Sequence, residues 1–268
     1  MLTGFGDSIA RRVPTGSSIF TAECSKRKKL TAYLSCDPAI TAPIFIHSHS
    51  TLYQKDPMAP LPEYVIYTEL LMSEDGETTY MSGVTQISPS WISELTKDCP
   101  LLQWSRPMKF PIPYYDQHSD TIMCFASSTY GIHKWELPVR ECDMQTVCRL
   151  YNQCSNNSYS KQSDEEVYRW FGRFLLEGKV VSHNPNIGKI LSKSNLLESP
   201  SVITSLKANR NVELLIKVLT KHKIYSLSTL RAQIKKHPNC LVKELHLFLK
   251  EKARKKFIAS WNKNSTSL

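Results

Sequence analysis

The 268 residues contain neither glycine-rich phosphate-binding pattern, G-x-x-x-x-G-K-[ST] or G-x-G-x-x-G, and no D-E-A-H-type acidic box. Phosphoryl transfer needs a backbone cradle for phosphates and a carboxylate for Mg²⁺, and neither is encoded here. G-x-S-x-G and H-E-x-x-H are also missing, which removes two common hydrolase signatures. No stretch approaches the ~18 apolar residues of a membrane span, and no basic region followed by a long apolar run opens the sequence. The eight cysteines include no C-x-x-C pair, so they read as buried intracellular thiols rather than a disulfide framework. Cys142, Cys148 and Cys154 recur at even steps, but no His or Cys beside them has zinc-ligand spacing. His47-Ser48-His49 puts two imidazoles on one side of a strand without an evident third ligand, and strand-end histidines of this kind are commonly satisfied by backbone carbonyls. The residues point to binding rather than catalysis, and neither a cofactor nor a metal is expected in this chain.

Charge is present, and it is uneven. The net charge is +10. Residues 1–160 carry 13 Lys+Arg against 16 Asp+Glu, whereas residues 161–268 carry 21 against 8. A net of −3 followed by one of +13 suggests two modules, with phosphate-rich or acidic partners for the second. The length also suits two domains.

Residues 2–13 have Leu2, Phe5, Ile9 and Val13 at helical spacing before Pro14-Thr15-Gly16, and predict the last turns of a helix over 1–15. From 16 to 137 the signals are β, with short candidate strands at 18–23, 31–35, 43–47, 64–72, 79–87 and 121–136. The runs 64–72 and 79–87 flank the turn Ser73-Glu74-Asp75-Gly76-Glu77 and read as a hairpin. A hairpin alone is marginal in water and must join a larger sheet. One helix interrupts the strands near Ser88-Pro89, where Ser88 can cap and Pro89 suits the first helical position. About five strands with a helix inserted late is the order of an OB-fold barrel, although composition alone does not separate it from other small barrels. Residues 138–163 read as a polar connector, with 152–163 its most disorder-prone part. From 164 to 268 the period turns helical. Ser163-Asp164-Glu165-Glu166 resembles a capping box, Val167, Trp170, Phe171, Phe174 and Leu175 share a face, and Gly178 ends the helix. Further helices are expected from Ser199-Pro200 and over 210–222, 227–236 and 241–261. The fold class expected is an OB-fold-like β-barrel followed by a small all-helical domain.

Two basic stretches are candidates for RNA contact. Lys26, Arg27, Lys28 and Lys29 form a loop between the first two strands, where OB-folds often meet ligands, although a solvated turn has the same composition. Lys250, Lys252, Arg254, Lys255 and Lys256 crowd one part of the last helix. The alternative there is a charged outer face, since Leu245, Phe248, Leu249 and Trp261 provide a stripe to bury. Lys55 and, for apolar or stacking contact, Tyr80 and Met81 complete the candidate set. Tyr64 and Tyr67 read instead as barrel core.

Four segments, Ile46-His47-Ser48-His49-Ser50, Glu63 to Leu70, Tyr80 to Thr85 and Ile87 to Ile92, follow in one order. That order resembles the OB-fold of the DEAH/RHA-type RNA helicases, whose pattern runs roughly I-H-P-S-S, P-E-[WYF]-V-[IV]-Y-x-E-L, Y-M-x-x-V-T and I-x-P-x-W-L. The sequence departs from it at Ser48 and His49. Residues 2–13 resemble the helix that precedes this OB-fold at the end of the family's ratchet module. Arg173 to Val180 and the run ending Trp135-Glu136-Leu137-Pro138 resemble the nucleolar branch of that family, which works on the small-subunit processome. The resemblance covers most of residues 1–180. It implies the C-terminal part of an ATP-dependent RNA helicase of ribosome biogenesis that acts on pre-ribosomal and small nucleolar RNA in the nucleolus, with ATP and Mg²⁺ belonging to motor domains outside this chain. It also implies docking of a protein activator, and a module that docks such a partner with little RNA contact is the competing reading.

Overall fold

Eleven strands and seven helices are formed among the described residues of the computed structural model, which are 4, 6–14, 30–56, 59–97, 99–154, 160–181, 210–249 and 251–264. The strands are β1 (Ile9–Arg12), β2 (Ala32–Ser35), β3 (Ile44–Ile46), β4 (Tyr64–Ile66), β5 (Glu69–Met72), β6 (Thr79–Ser82), β7 (Thr85–Ile87), β8 (Leu102–Trp104), β9 (Tyr114–Asp116), β10 (Thr121–Tyr130) and β11 (Trp135–Asp143). The helices are α1 (Pro89–Leu95), α2 (Met144–Cys154), α3 (Ser160–Leu176), α4 (Arg210–Lys221), α5 (Leu227–Lys236), α6 (Val242–His246) and α7 (Glu251–Asn264). The chain divides into two units, one of residues 1–104 with 127–139 and the other of 105–126 with 140–268.

The first unit is built on β1 to β7, paired in the order β5-β6-β3-β2-β1-β4-β7. Because β5 continues β4 and β7 continues β6, the path returns on itself as a barrel. The hairpin expected over 64–87 is present, interrupted at Tyr67-Thr68 and Gly83-Val84. Its register is unbroken across the interruption: Ile66 faces Thr85 on one side of it and Glu69 faces Ser82 on the other. β3 and β6 run parallel, with Phe45 opposite Tyr80 and Ile46 opposite Met81. The strand period sends Ala10, Tyr33, Ile44, Ile46, Val65, Tyr67, Met81 and Val84 into one core. Tyr64 and Tyr67 are buried, as their composition implied. Tyr67 and Ser35 share a buried hydroxyl–hydroxyl bond of 2.8 Å.

The N-terminal helix expected over 1–15 is not what forms at its C-terminal end. Ile9–Arg12 is a strand pairing β2 on one side and β4 on the other. The reading failed because a spacing of four, Ile9 to Val13, fits two strand repeats as well as one helical turn. Both residues are buried. Residues 18–23, expected as a strand, lie outside the described residues. Helix α1 begins at Pro89 as expected, but Ser88 makes no side-chain cap and its hydroxyl pairs with that of Ser90 at 2.8 Å.

The second unit corrects the polar connector. β11 runs on to Asp143 and α2 follows at once. Asp143 caps that helix, accepting from the Thr146 amide at 2.9 Å and the Thr146 hydroxyl at 2.7 Å. Met144, Val147 and Cys148 are buried, an apolar stripe too sparse to stand out from its polar neighbours. α3 starts at Ser160, so Ser163 lies inside its first turn and not ahead of it. Its end is as expected: Gly178 has φ 71°, Lys179 N–H donates to Phe174 O at 2.9 Å and Gly178 N–H to Leu175 O at 3.1 Å. That is a Schellman closure. α3 packs on α4, and Gly172 lets them approach closely, since a Cβ there would lie 3.3 Å from Leu219 Cδ1. Arg169 ties the pair together by bridging Glu165 and Glu213, each at 2.8 Å. The expected helix over 241–261 forms as two, α6 and α7, with a turn at Leu247–Leu249. The helix expected from Ser199-Pro200 lies outside the described residues.

Candidate nucleic-acid interface

The outer wall of the barrel carries a row of aromatic rings that the strand period explains. In β3, Ile44 and Ile46 point into the core and Phe45 between them points out. In β6, Met81 points in and Tyr80 points out. Since β3 and β6 are paired with Phe45 opposite Tyr80, the two outward rings become neighbours, with centroids 6.4 Å apart. His47 extends the row, edge-on to Tyr80 at 5.8 Å, and His49 packs edge-on to His47 at 4.8 Å. The His49 amide donates to His47 Nδ1 at 3.3 Å, which places the His47 proton on Nε2 and turns that nitrogen into a donor. Phe45 and Tyr80 are half-buried, so each keeps part of its ring open to solvent. A row of four rings, one hydroxyl and one imidazole N–H is suited to stacking unpaired bases.

Of the residues proposed from sequence, Tyr80 therefore lies at this surface and Met81 does not. Met81 has 0% exposure and belongs to the barrel core. The correction follows from period two: adjacent residues of a strand cannot both face a ligand. Lys55 is exposed. Lys26, Arg27, Lys28, Lys29 and Lys250 lie outside the described residues, as does the side chain of Lys252. In α7, Lys255 and Lys256 are exposed, whereas Arg254 is half-buried and donates Nε–H to Leu249 O at 2.8 Å. Arg254 therefore closes the turn before its own helix through that donor. The stripe that α7 buries is Phe257 and Trp261, both at 0% exposure, with Trp261 Nε1–H donating to Pro238 O at 2.9 Å.

Sequence reasoning missed Phe45. The signal was available, since an aromatic between two isoleucines in a short strand is outward whenever its neighbours are inward. It also missed a second basic group in the helical unit: Lys217, Lys221, Lys223, Arg231, Lys235 and Lys236 are all exposed on α4, α5 and the turn between them. No titratable cluster in the described residues has the make-up of a metal centre. The thiols of Cys36 and Cys124 are pushed up to about 12 by burial, which makes them core groups and not nucleophiles.

Comparison with known proteins agrees with this architecture. Residues 1–98 match the model of the oligonucleotide/oligosaccharide-binding (OB)-fold family, and residues 191–265 match that of the DEAH helicase DHX37 C-terminal domain. The probable ATP-dependent RNA helicase kurz of Drosophila melanogaster is 30% identical over 266 residues, 97% of this chain and 20% of that protein. The probable ATP-dependent RNA helicase DHX37 of Homo sapiens is 30% identical over 246 residues, 90% of this chain and 18% of that protein. ATP-dependent RNA helicase DEAH13 of Arabidopsis thaliana is 28% identical over 239 residues, 88% of this chain and 17% of that protein. The chain thus spans about a fifth of the length of these relatives. With an OB-fold match at 1–98 and a DHX37-type domain match at 191–265, the chain is similar to the C-terminal region of DEAH-box RNA helicases.

Proposed function

We propose that this chain is the non-catalytic C-terminal part of an ATP-dependent RNA helicase of ribosome biogenesis, and that its barrel guides single-stranded RNA. The observation that carries the reading is the outward row Phe45, Tyr80, His47 and His49 on an OB-fold wall. Aromatic rings in such a row accept unpaired bases of any sequence, which is what a guide beside a motor requires. Phosphate contacts would come from Lys26 to Lys29, from Lys55, and from the exposed lysines of the helical unit, Lys255 and Lys256 among them. ATP and Mg²⁺ would act on motor domains that these residues do not encode. The resemblance of Arg173 to Val180 and of the run ending at Pro138 to the nucleolar branch of the family supports work on pre-ribosomal RNA of the small subunit in the nucleolus, beside a protein activator.

A fluorescence-anisotropy titration of the full chain with a short single-stranded RNA, repeated at several salt concentrations, tests the reading. Affinity should exceed that for a duplex of equal length and fall steeply with salt, with a log–log slope of about −0.7 for each phosphate neutralised. Replacing Lys26, Arg27, Lys28 and Lys29 by Gln should flatten that slope. Lys255→Gln with Lys256→Gln should do the same if α7 follows the backbone. A chain that fails to bind RNA at low salt ends the proposal.

A further inference from the structure

The barrel leaves two strand edges without a partner among the described residues, the outer sides of β7 and β5. They differ in what they show. Thr85 and Gln86, the exposed residues of β7, are polar. β5 shows Leu71 at 41% and Met72 at 71% exposure, with no Lys or Pro in Glu69–Met72 to blunt the edge. An open edge with protruding apolar side chains is a template for another strand. Its backbone is set up for one. The Ser73 amide donates to Thr78 O at 2.8 Å, so the antiparallel alternation makes Leu71–Tyr80 a hydrogen-bonded pair and leaves Leu70 opposite Met81 and Met72 opposite Thr79 in non-bonded pairs. The peptide groups of Leu70 and Met72 are therefore directed away from β6, to the open side.

The charge around this edge selects the occupant. Glu69, Glu74 and Glu77 are exposed, and none of them enters an ion pair among the described residues. The turn is held in shape by its own groups: the Ser73 hydroxyl donates to Asp75, and the Glu77 amide donates to Asp75 Oδ1 at 3.0 Å. Glu69 therefore stands at one end of the edge and Glu74 and Glu77 at the other, so a strand laid along β5 runs between exposed carboxylates. We propose that β5 is a docking edge for an extended, lysine- or arginine-bearing segment of a partner protein. That segment would add a strand through the peptide groups of Leu70 and Met72, set its apolar side chains beside Met72 on one face, and direct its cations to the other face, where Glu69 lies, and toward Glu74 and Glu77 at the end of the edge.

The probe is a twelve-residue synthetic peptide in which lysine alternates with valine and threonine, with a glutamate-for-lysine peptide as its control. Binding to the full chain is measured by anisotropy, and amide exchange is followed residue by residue. The basic peptide should bind at least tenfold more tightly than the acidic one and should slow exchange at Leu70 and Met72. Met72→Pro removes a donor from the open side without touching the ladder to β6, and should weaken binding about tenfold or more. Should that variant lose the circular dichroism of the wild type, the triple variant Glu69→Lys, Glu74→Lys, Glu77→Lys serves instead and should reverse the peptide preference. Equal binding of the two peptides, or binding that leaves Leu70 and Met72 exchanging as before, overturns the proposal. Neither result bears on single-stranded RNA affinity, which is read in a separate titration.

Discussion

Thr68 sits directly against Gly83 across the hairpin, so closely that a Cβ added to Gly83 would overlap Thr68 Oγ1 and lie 3.1 Å from Thr68 Cβ. The two residues occupy the break between β4 and β5 and between β6 and β7, where the ladder is interrupted while keeping register. Thr68 holds the break by donating both its amide, at 3.0 Å, and its hydroxyl, at 3.2 Å, to Ser82 O. Gly83 has φ 62°, a left-handed conformation that disfavours any side chain.

Gly83→Ala should therefore destabilise the barrel by about 2–3 kcal/mol, combining backbone strain of about 1 kcal/mol with overpacking against Thr68. Thr68→Ala should lose about 1 kcal/mol with its hydroxyl bond. The double variant should lose less than the sum, because removing Oγ1 relieves part of the clash. Urea midpoints of the four proteins measure this. Strict additivity would show that strain alone, and not the contact, governs the break.

Tyr80 and Met81 are adjacent in sequence and opposite in role. Met81→Ala should destabilise the chain by about 2–5 kcal/mol, as truncation of a buried side chain does, and should leave the RNA affinity of the folded fraction unchanged. Tyr80→Ala should barely move the unfolding midpoint and should weaken single-stranded RNA binding by about 1–3 kcal/mol, the loss of one stacked base. Phe45→Ala should behave like Tyr80→Ala. A Tyr80→Ala protein that binds RNA as the wild type does would remove the aromatic row from the site.

The hairpin, the Pro89 start of α1, the Gly178 stop of α3 and the burial of Tyr64 and Tyr67 were legible in the sequence because each depends on residues within one turn or one strand. What was not legible depends on distant partners. Ile9–Arg12 is a strand because β2 and β4 flank it, and its own spacing fits a helix equally well. Residues 144–154 are a helix because Asp143 caps them and Val147 and Cys148 find a surface to bury against. The candidate site divides in the same way. Tyr80 faces outward and Met81 faces the core, a parity the sequence reading did not apply, and the same alternation in Ile44-Phe45-Ile46 would have turned Phe45 outward, although its place beside Tyr80 depends on β3 pairing with β6.

Gly172 marks a close approach of α3 to α4, with Leu219 Cδ1 3.3 Å, Leu215 Cδ2 3.5 Å and Ile216 Cδ1 3.7 Å from the place a Cβ would take. Gly172→Leu should push the helices apart and cost about 1–3 kcal/mol. The loss should appear as early exchange of the α3 and α4 amides, with the barrel amides unaffected. Uniform loosening of the whole chain would mean that the two units unfold together.

Asp120 provides a pH-dependent measure of the helical unit. It lies in the turn between β9 and β10 with φ 54°, and its carboxylate reaches the start of α5, accepting from the Leu227 amide at 2.6 Å and the Ser228 amide at 2.7 Å. The Tyr115 hydroxyl donates to the same carboxylate. Partial burial by itself would raise the Asp120 carboxyl, but the Tyr115 hydroxyl and the two amides outweigh it and hold the group below the usual carboxylate range. The folded value lies under the unfolded one of about 3.9, so the stabilisation is complete above that pH and is lost as pH falls through the folded value. Asp120→Ala should therefore lower stability by about 1–2 kcal/mol at pH 7, the usual effect of losing a helix cap. The gap between variant and wild type should hold steady from pH 7 to 5 and then narrow on further acidification, as the wild-type carboxyl takes up its proton. Urea unfolding of both proteins across that range, followed at 222 nm, tests it. A gap that stays constant into strong acid would show that the side chain acts by packing and not as a charged cap.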